Sequence, residues 1–157
     1  MTKTFFFTSG PSLCITLEFQ EQKLKSSALS LADCFQVKIE GHPDSSTEQT
    51  LLAFLKDYSE SKHSKVTLPL NTLTPFRKKV LETMQKVSFG TVMSYSELAT
   101  ESGHPGAARA VGTACHFNPF PLFIPCHRVI SANGKIGGFA IDINIKKILL
   151  AFEASNS

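Results

Sequence analysis

No tryptophan occurs among the 157 residues, although there are thirteen phenylalanines. This imbalance carries no functional reading. No two cysteines stand in a CxxC spacing. The four present, Cys14, Cys34, Cys115 and Cys126, are too scattered to form a dense framework, so no disulfides are expected. No apolar run approaches the ~18 residues that would suggest a membrane span. The start, Met1 to Gly10, carries three consecutive phenylalanines but neither a long apolar core nor a small-residue cleavage site, so a signal peptide is not expected. Internal repeats and low-complexity tracts are also lacking. These absences point to a soluble, cytoplasmic protein with reduced thiols and no membrane partner.

What is present supports a folded chain. Hydrophobic residues make up 42%, enough for a core and too many for a disordered segment. The length allows one ordinary domain or two small ones. Charge is unevenly spread. Residues 1–70 hold seven lysines against eight acids, a net of −1. Residues 71–157 hold nine basic residues against five acids, a net of +4. The basic bias of the second part fits a polyanionic partner there, and ordinary surface scatter gives the same count.

In the first part, residues 4–7, 13–19 and 34–39 read as strands. The second alternates, with Leu13, Ile15, Leu17 and Phe19 on one face. Gly10-Pro11-Ser12 is a turn signal. Thr47 is a candidate N-cap for a helix carrying Leu51, Leu52 and Leu55. The expectation is an α/β unit over residues 1–70, a small antiparallel sheet with one helix. His42 and His63 lie in polar loops and read as surface groups. Residues 59–70 are polar and then contain proline, which places a domain boundary near residue 70.

A second unit, residues 71–157, is expected to be mostly helical. Thr74-Pro75 is an N-cap followed by proline at the first helical position. Phe76, Val80, Met84 and Val87 form an apolar stripe. Ser94 with Glu97 three residues on is a capping box. Gly103 to Gly106 is a turn, and residues 107–115 are a small-residue helix whose single charge is Arg109. Two short helices around a glycine turn make a helix-turn-helix candidate, with a packed helical hairpin as the plainer reading. Asn133-Gly134 between extended stretches is a hairpin signal, and a hairpin there gives a winged-helix-like unit. Residues 142–152 close the chain as a helix with Ile145, Ile148, Leu149 and Phe152 on one face.

The chemistry concentrates in Ile124-Pro125-Cys126-His127-Arg128-Val129-Ile130. A free thiol is mostly protonated near neutrality, with a reference pKa of about 8.5. A neighbouring base or cation supplies thiolate, a strong nucleophile toward alkyl carbon. On an extended segment adjacent side chains point to opposite faces, so His127 reaches Cys126 only through a turn or a water. This argues against a cysteine-protease dyad, whose histidine is usually distant in sequence. Cys115-His116 and Cys126-His127 are two Cys-His pairs, but zinc ligands prefer spacing by a few residues, so no metal is expected. A buried cysteine packed as a small hydrophobe is the bland reading for Cys14, Cys34 and Cys115.

The hexapeptide Ile124 to Val129 resembles the active-site signature of the O6-alkylguanine-DNA alkyltransferases, or methylated-DNA–protein-cysteine methyltransferases. The resemblance extends, in order and approximate spacing, to Phe89-Gly90, Ser94-Tyr95, Ala107 to Gly112, Asn118-Pro119, Gly137-Gly138 and Leu149 to Glu153. It covers about half the chain, from Pro75 to Glu153. It implies a single-turnover repair protein that flips O6-alkylguanine out of double-stranded DNA and moves the alkyl group to Cys126, with O4-alkylthymine as a second candidate lesion. It implies that His127 passes the thiol proton through water to Glu153, that Asn118 orders the turn before the active-site segment, and that Tyr95 donates to the flipped base. Arg109 would replace the extruded nucleotide in the stack. Ala107, Ala108, Ala110, Gly112, Thr113 and Arg128 would lie against DNA, entered from the minor groove. The carbonyls of Cys126 and Val129 would accept from the guanine amine, and Phe139 and Ala140 would line the pocket. No cofactor is implied, and the protein would act as a monomer. The sequence departs from the family's better-known members at Phe139-Ala140-Ile141-Asp142, where they have tyrosine or serine and further glycines. Phe139 can stack on a base but not donate to it, and Ala140 offers only its backbone N–H. The first half has no Cys/His set matching the zinc site that some members carry. Two other classes stay open at this point: a protein that binds the lesion without transfer, and a winged-helix transcription factor using Cys126 as a sensor.

Overall fold

A computed structural model describes residues 1–137 and 141–157. The first half holds four strands, β1 (Thr2–Phe6), β2 (Leu13–Gln20), β3 (Lys23–Leu31) and β4 (Gln36–Glu40), followed by α1 (Ser45–Ser59). The sheet order is β1-β4-β2-β3. It is mixed rather than antiparallel, which corrects the expectation. Leu13, Ile15 and Leu17 alternate into the core as expected, and β2 pairs parallel with β4, Ile15 opposite Val37. The reason is directional. Successive strands alternate in sense, so β2 and β4, two apart in sequence, are parallel once they become neighbours.

Strand β3 carries no clear sequence signal, because its turn is Glu21-Gln22 rather than Asn-Gly. Both turn residues have positive φ, 50° and 65°, the two-residue hairpin geometry that Asn and Gly usually supply. Helix α1 is capped by Asp44, whose carboxylate accepts from the Thr47 N–H at 3.0 Å. Thr47 is thus the residue being capped, not the cap. Leu51, Leu55 and Tyr58 fall at i, i+4 and i+7 of α1 and are buried.

Residues 60–74 form neither helix nor strand, and the boundary expected near residue 70 falls within them. Helix α2 (Pro75–Met84) starts as anticipated at Thr74, with proline at its first position. Strand β5 (Met93–Ser94) leads into α3 (Tyr95–Glu101), and the Ser94/Glu97 capping box is formed in both directions. After the turn at Gly103 to Gly106 comes α4 (Ala108–His116). Helices α2, α3 and α4 pack on one another. Strand β6 (Val129–Ile130) pairs parallel with β5. Helix α5 (Ile143–Asn156), capped by Asp142, ends the chain.

Of the hairpin expected at Asn133-Gly134 the turn is formed, and residues 138–140 that follow lie outside the described residues. Gly134 has φ +77° and Ser131 accepts its N–H at 2.9 Å. No strand pair flanks it among the described residues; Val129–Ile130 is instead paired with β5.

One buried apolar cluster runs through both halves, from Leu13 and Val37 in the sheet to Val80, Leu98, Ile124 and Leu149 in the second half. Each such Leu or Ile side chain contributes about 1.5–3 kcal/mol on burial. The edge strand β3 also meets the segment before the Cys126 cluster. The N–H of Ser27 donates to the Pro119 carbonyl at 2.9 Å and its hydroxyl to that of Pro121 at 3.0 Å. Among the described residues, no helix is long and apolar enough to cross a membrane.

Candidate active site

The approach to Cys126 is a tight, buried turn. Phe120 to Ile124 are all buried, as their apolar character predicts. Leu122 sits at φ +76°, a left-handed conformation that costs an L-residue about 1–2 kcal/mol. Asn118 holds this turn from both sides. Its Oδ1 accepts from the Phe120 N–H at 3.0 Å, and its Nδ2 donates to the Ile124 carbonyl at 2.9 Å. The same side chain also hydrogen-bonds to Cys126. Asn118 therefore orders the turn, and it touches the thiol too.

Cys126, His127 and Arg128 form a single 3-10 turn, with Val129 N–H donating to the Cys126 carbonyl. The turn answers the problem of adjacency, because it frees consecutive side chains from the opposite-face rule of a strand. Cys126 keeps 6% of its surface exposed and His127 none. His127 Nε2 lies 2.6 Å from Glu153 Oε1. His127 Nδ1 is buried with no hydrogen-bond partner among the described residues.

Glu153 is placed by α5. Ile145, Leu149 and Glu153 repeat at i, i+4 and i+8, so the carboxylate continues an apolar stripe into the core. Arg128, expected at DNA, turns inward to meet it. Its Nε donates to Glu153 Oε2 at 2.8 Å, its second terminal nitrogen to Oε1 at 2.9 Å, and the first to the Val87 carbonyl at 2.7 Å. A guanidinium that forks around a carboxylate in this way is a strong bidentate pair, and a buried carboxylate without a cation would be costly. The Gly90 N–H adds a donor to Oε2 at 3.2 Å.

Electrostatics follow from this burial. Desolvation pushes the Glu153 carboxyl up, but His127 and Arg128 outweigh it and hold it at about 2. Burial lowers His127 against the opposing pull of Glu153. With Glu153 ionised and His127 neutral, the ring proton belongs on Nε2, facing the carboxylate, and Nδ1 is left as a bare lone pair. Burial raises the Cys126 thiol, partly offset by Asn118 and Lys146. The thiol therefore rests protonated, and the cationic setting anticipated from the sequence does not by itself make thiolate.

Tyr95, the first residue of α3, is half-buried. Burial, and then the nearby Cys115 and Cys126, push its hydroxyl up to about 12, so it stays a proton donor at neutral pH. A Cβ on Gly137 would come within 3.3 Å of that hydroxyl and 3.1 Å of the ring. Gly137 thus gives Tyr95 its place beside the site.

Helix α4 turns Val111, Ala114 and Cys115 inward. Arg109, Ala110 and Thr113 form an exposed face, with Ala107, Ala108 and Gly112 partly covered. The structure brings Cys126, His127, Glu153, Asn118 and Tyr95 together and leaves Arg109 outside on the surface. Phe139 and Ala140 lie outside the described residues.

Two further side chains that meet the site carry weaker sequence signals. Lys146 is fully buried, and its Nζ donates to the Val129 carbonyl at 2.6 Å. A carbonyl has a second lone pair, so that oxygen can still accept from a bound base. Tyr58 on α1 donates to Glu153 Oε1 at 2.9 Å. Lys146 could have been noticed as a charge beside Ile145 on an apolar stripe, and Tyr58 as the polar-tipped member of the Leu51/Leu55 stripe.

Comparison with known proteins gives one consistent picture. Residues 75–155 match the family described as "6-O-methylguanine DNA methyltransferase, DNA binding domain". The chain is 47% identical over 88 residues to a methylated-DNA–protein-cysteine methyltransferase of Shigella flexneri, covering 55% of this chain and 52% of that protein. It is 44% identical over 82 residues to one from Methanosarcina acetivorans, covering 52% of this chain and 53% of that protein. The chain thus spans about half the length of the curated relatives it matches. A crystal structure of Mycobacterium tuberculosis OGT in complex with DNA superposes with TM-score 0.68 at 28% identity, covering 92% of this chain and 94% of that one.

Proposed function

The chain belongs to the family described as 6-O-methylguanine DNA methyltransferase, DNA binding domain, and from that premise we propose that it repairs DNA by moving an alkyl group from O6-alkylguanine to its own Cys126. The observation that supports this reading is His127, next to Cys126 in one 3-10 turn, with its Nδ1 buried and without a partner among the described residues and its Nε2 held 2.6 Å from Glu153.

The steps follow from the groups present. A lesion inside a duplex cannot reach a thiol that is 6% exposed, so the nucleotide is flipped out, at a cost of a few kcal/mol. Helix α4 lies against the minor groove through Ala107, Ala108, Ala110, Gly112 and Thr113, and Arg109 fills the place of the extruded base. The carbonyls of Cys126 and Val129 accept from the exocyclic amine. The thiol proton passes through water to His127 Nδ1, and Glu153 stabilises the imidazolium that forms. The sulfur attacks the alkyl carbon. The S–C bond forms as the C–O6 bond breaks, and the bonding pair leaves on guanine O6. Tyr95 donates to the base and offsets the growing charge. Guanine then takes a proton from solvent and His127 gives its own back. Arg128, placed at DNA by the sequence reading, serves here as the counter-ion of Glu153.

The product thioether is stable, so each molecule acts once. No cofactor is needed, O4-alkylthymine is the second candidate lesion, and the protein works as a cytoplasmic monomer. Residues 1–70 form a supporting unit and residues 71–157 the winged-helix-like unit that meets DNA. With excess O6-methylguanine duplex, repaired guanine should rise to one per protein molecule and stop. Continued turnover would overturn the single-use reading.

A further inference from the structure

Glu153 receives one donor that does not come from the second half of the chain. Tyr58, on α1, is 3% exposed and lies among three rings: Phe35 of the first half, and Phe89 and Phe152 of the second, at centroid distances of 6.1, 5.6 and 5.5 Å. Those rings fix its direction, and its hydroxyl donates to Glu153 Oε1 at 2.9 Å. The same oxygen faces His127 Nε2 at 2.6 Å and an Arg128 nitrogen at 2.9 Å. The other oxygen takes Arg128 Nε and the Gly90 N–H.

A carboxylate offers about four lone-pair sites, and five donors converge on this one. Such a group cannot rotate, and it has little reason to take a proton. We propose that Tyr58 is a positioning residue for alkyl transfer: it locks the Glu153 carboxylate and, through it, the orientation and tautomer of His127. The first half of the chain thereby contributes a side chain to the reaction as well as support. This deepens the proposed function and rests on it.

Electrostatic direction follows. The charged groups bearing on His127 are Glu153 and Lys146 from α5 and Arg128 from its own turn. Tyr58 reaches it only through Glu153. Without the Tyr58 hydroxyl, Oε1 is a stronger acceptor and a stronger base, so the imidazolium is favoured. His127 then becomes protonated at higher pH, and the bare Nδ1 is lost earlier as pH falls.

Tyr58→Phe tests this, because it keeps every ring contact and removes only the donor. Two measurements are made on the full chain. In the first, nitrogen NMR follows the His127 ring without DNA. The expected result is an Nε2–H tautomer whose titration midpoint moves to higher pH in the variant. In the second, the rate of methyl transfer from O6-methylguanine duplex is measured against pH. The expected result is an acid limb displaced to higher pH, with a plateau slower by on the order of fivefold, the rate equivalent of one ordinary hydrogen bond. Identical His127 titrations in the folded variant and the parent protein would overturn the positioning role. Absence of methyl transfer in the parent protein would overturn the proposed function instead, and the NMR comparison would still decide the role of Tyr58.

Discussion

His127 Nε2 and Glu153 Oε1 lie 2.6 Å apart with both side chains almost wholly buried. Glu153 is also the only counter-ion for Arg128 among the described residues. Glu153→Gln therefore removes two things at once. The first is the partner that stabilises a protonated His127, so methyl transfer should slow by at least tenfold. The second is the charge that balances buried Arg128, and breaking such a pair typically costs about 3–5 kcal/mol. Urea unfolding should show a loss of that order, alongside the kinetic defect.

Acid should destabilise the protein in two stages. Glu153 is held at about 2, below the ordinary carboxyl value of 4.5. Its contribution is complete above the unfolded value and is lost as pH falls from about 4.5 toward 2. His127 is lowered from 6.5, so its contribution is complete above that value and declines as pH falls below it. Both signs agree. Thermal unfolding across pH should give a flat Tm above neutrality, a first decline below about 6.5 and a steeper one below about 4.5. A Tm that rises on acidification would contradict the buried relay.

Asn118→Ala should loosen the turn before Cys126. It leaves the Phe120 N–H unpaired and takes from the Ile124 carbonyl one of its two donors, the Cys126 N–H remaining at 2.8 Å, where Leu122 already holds a left-handed conformation. Each unsatisfied buried group costs about 1–3 kcal/mol. The expected outcome is a lower Tm together with slower methyl transfer, because the Cys126 thiol loses a neighbour. Affinity for undamaged DNA, measured by fluorescence anisotropy, should stay close to that of the parent protein.

Arg109 stands on the exposed face of α4 with no part in the buried relay. Arg109→Ala should slow repair of duplex substrate far more than repair of the same lesion in a single strand, since only the duplex must be opened and propped. Equal losses on both would mean that Arg109 does not fill the space left by the flipped base.

Much of the second half was legible in the sequence because its signals are local. The Thr74-Pro75 start, the Ser94/Glu97 capping box and the Asp142-to-Phe152 helix depend on near neighbours, and all are formed. Cys126 and His127 also sit together, and a 3-10 turn is what makes their adjacency usable. What the sequence concealed is long-range. Strand β3 turns on Glu21-Gln22, a pair without the usual hairpin chemistry. The parallel pairing of β2 with β4 depends on the path of the whole sheet. Arg128 read as a cation for DNA because its partner, Glu153, is 25 residues away. Tyr58 drew no reading from the sequence because its acceptor is 95 residues away. The Asn133-Gly134 signal is local too, and its turn is formed.

The central claim is that Cys126 accepts an alkyl group from DNA. The direct test is peptide mass analysis after incubation with an O6-methylguanine duplex. The Cys126 peptide, and no other cysteine peptide, should gain the mass of a methyl group in place of a hydrogen, in step with the appearance of unmodified guanine. An unchanged Cys126 peptide beside repaired DNA, or a methyl group on Cys115, would contradict it.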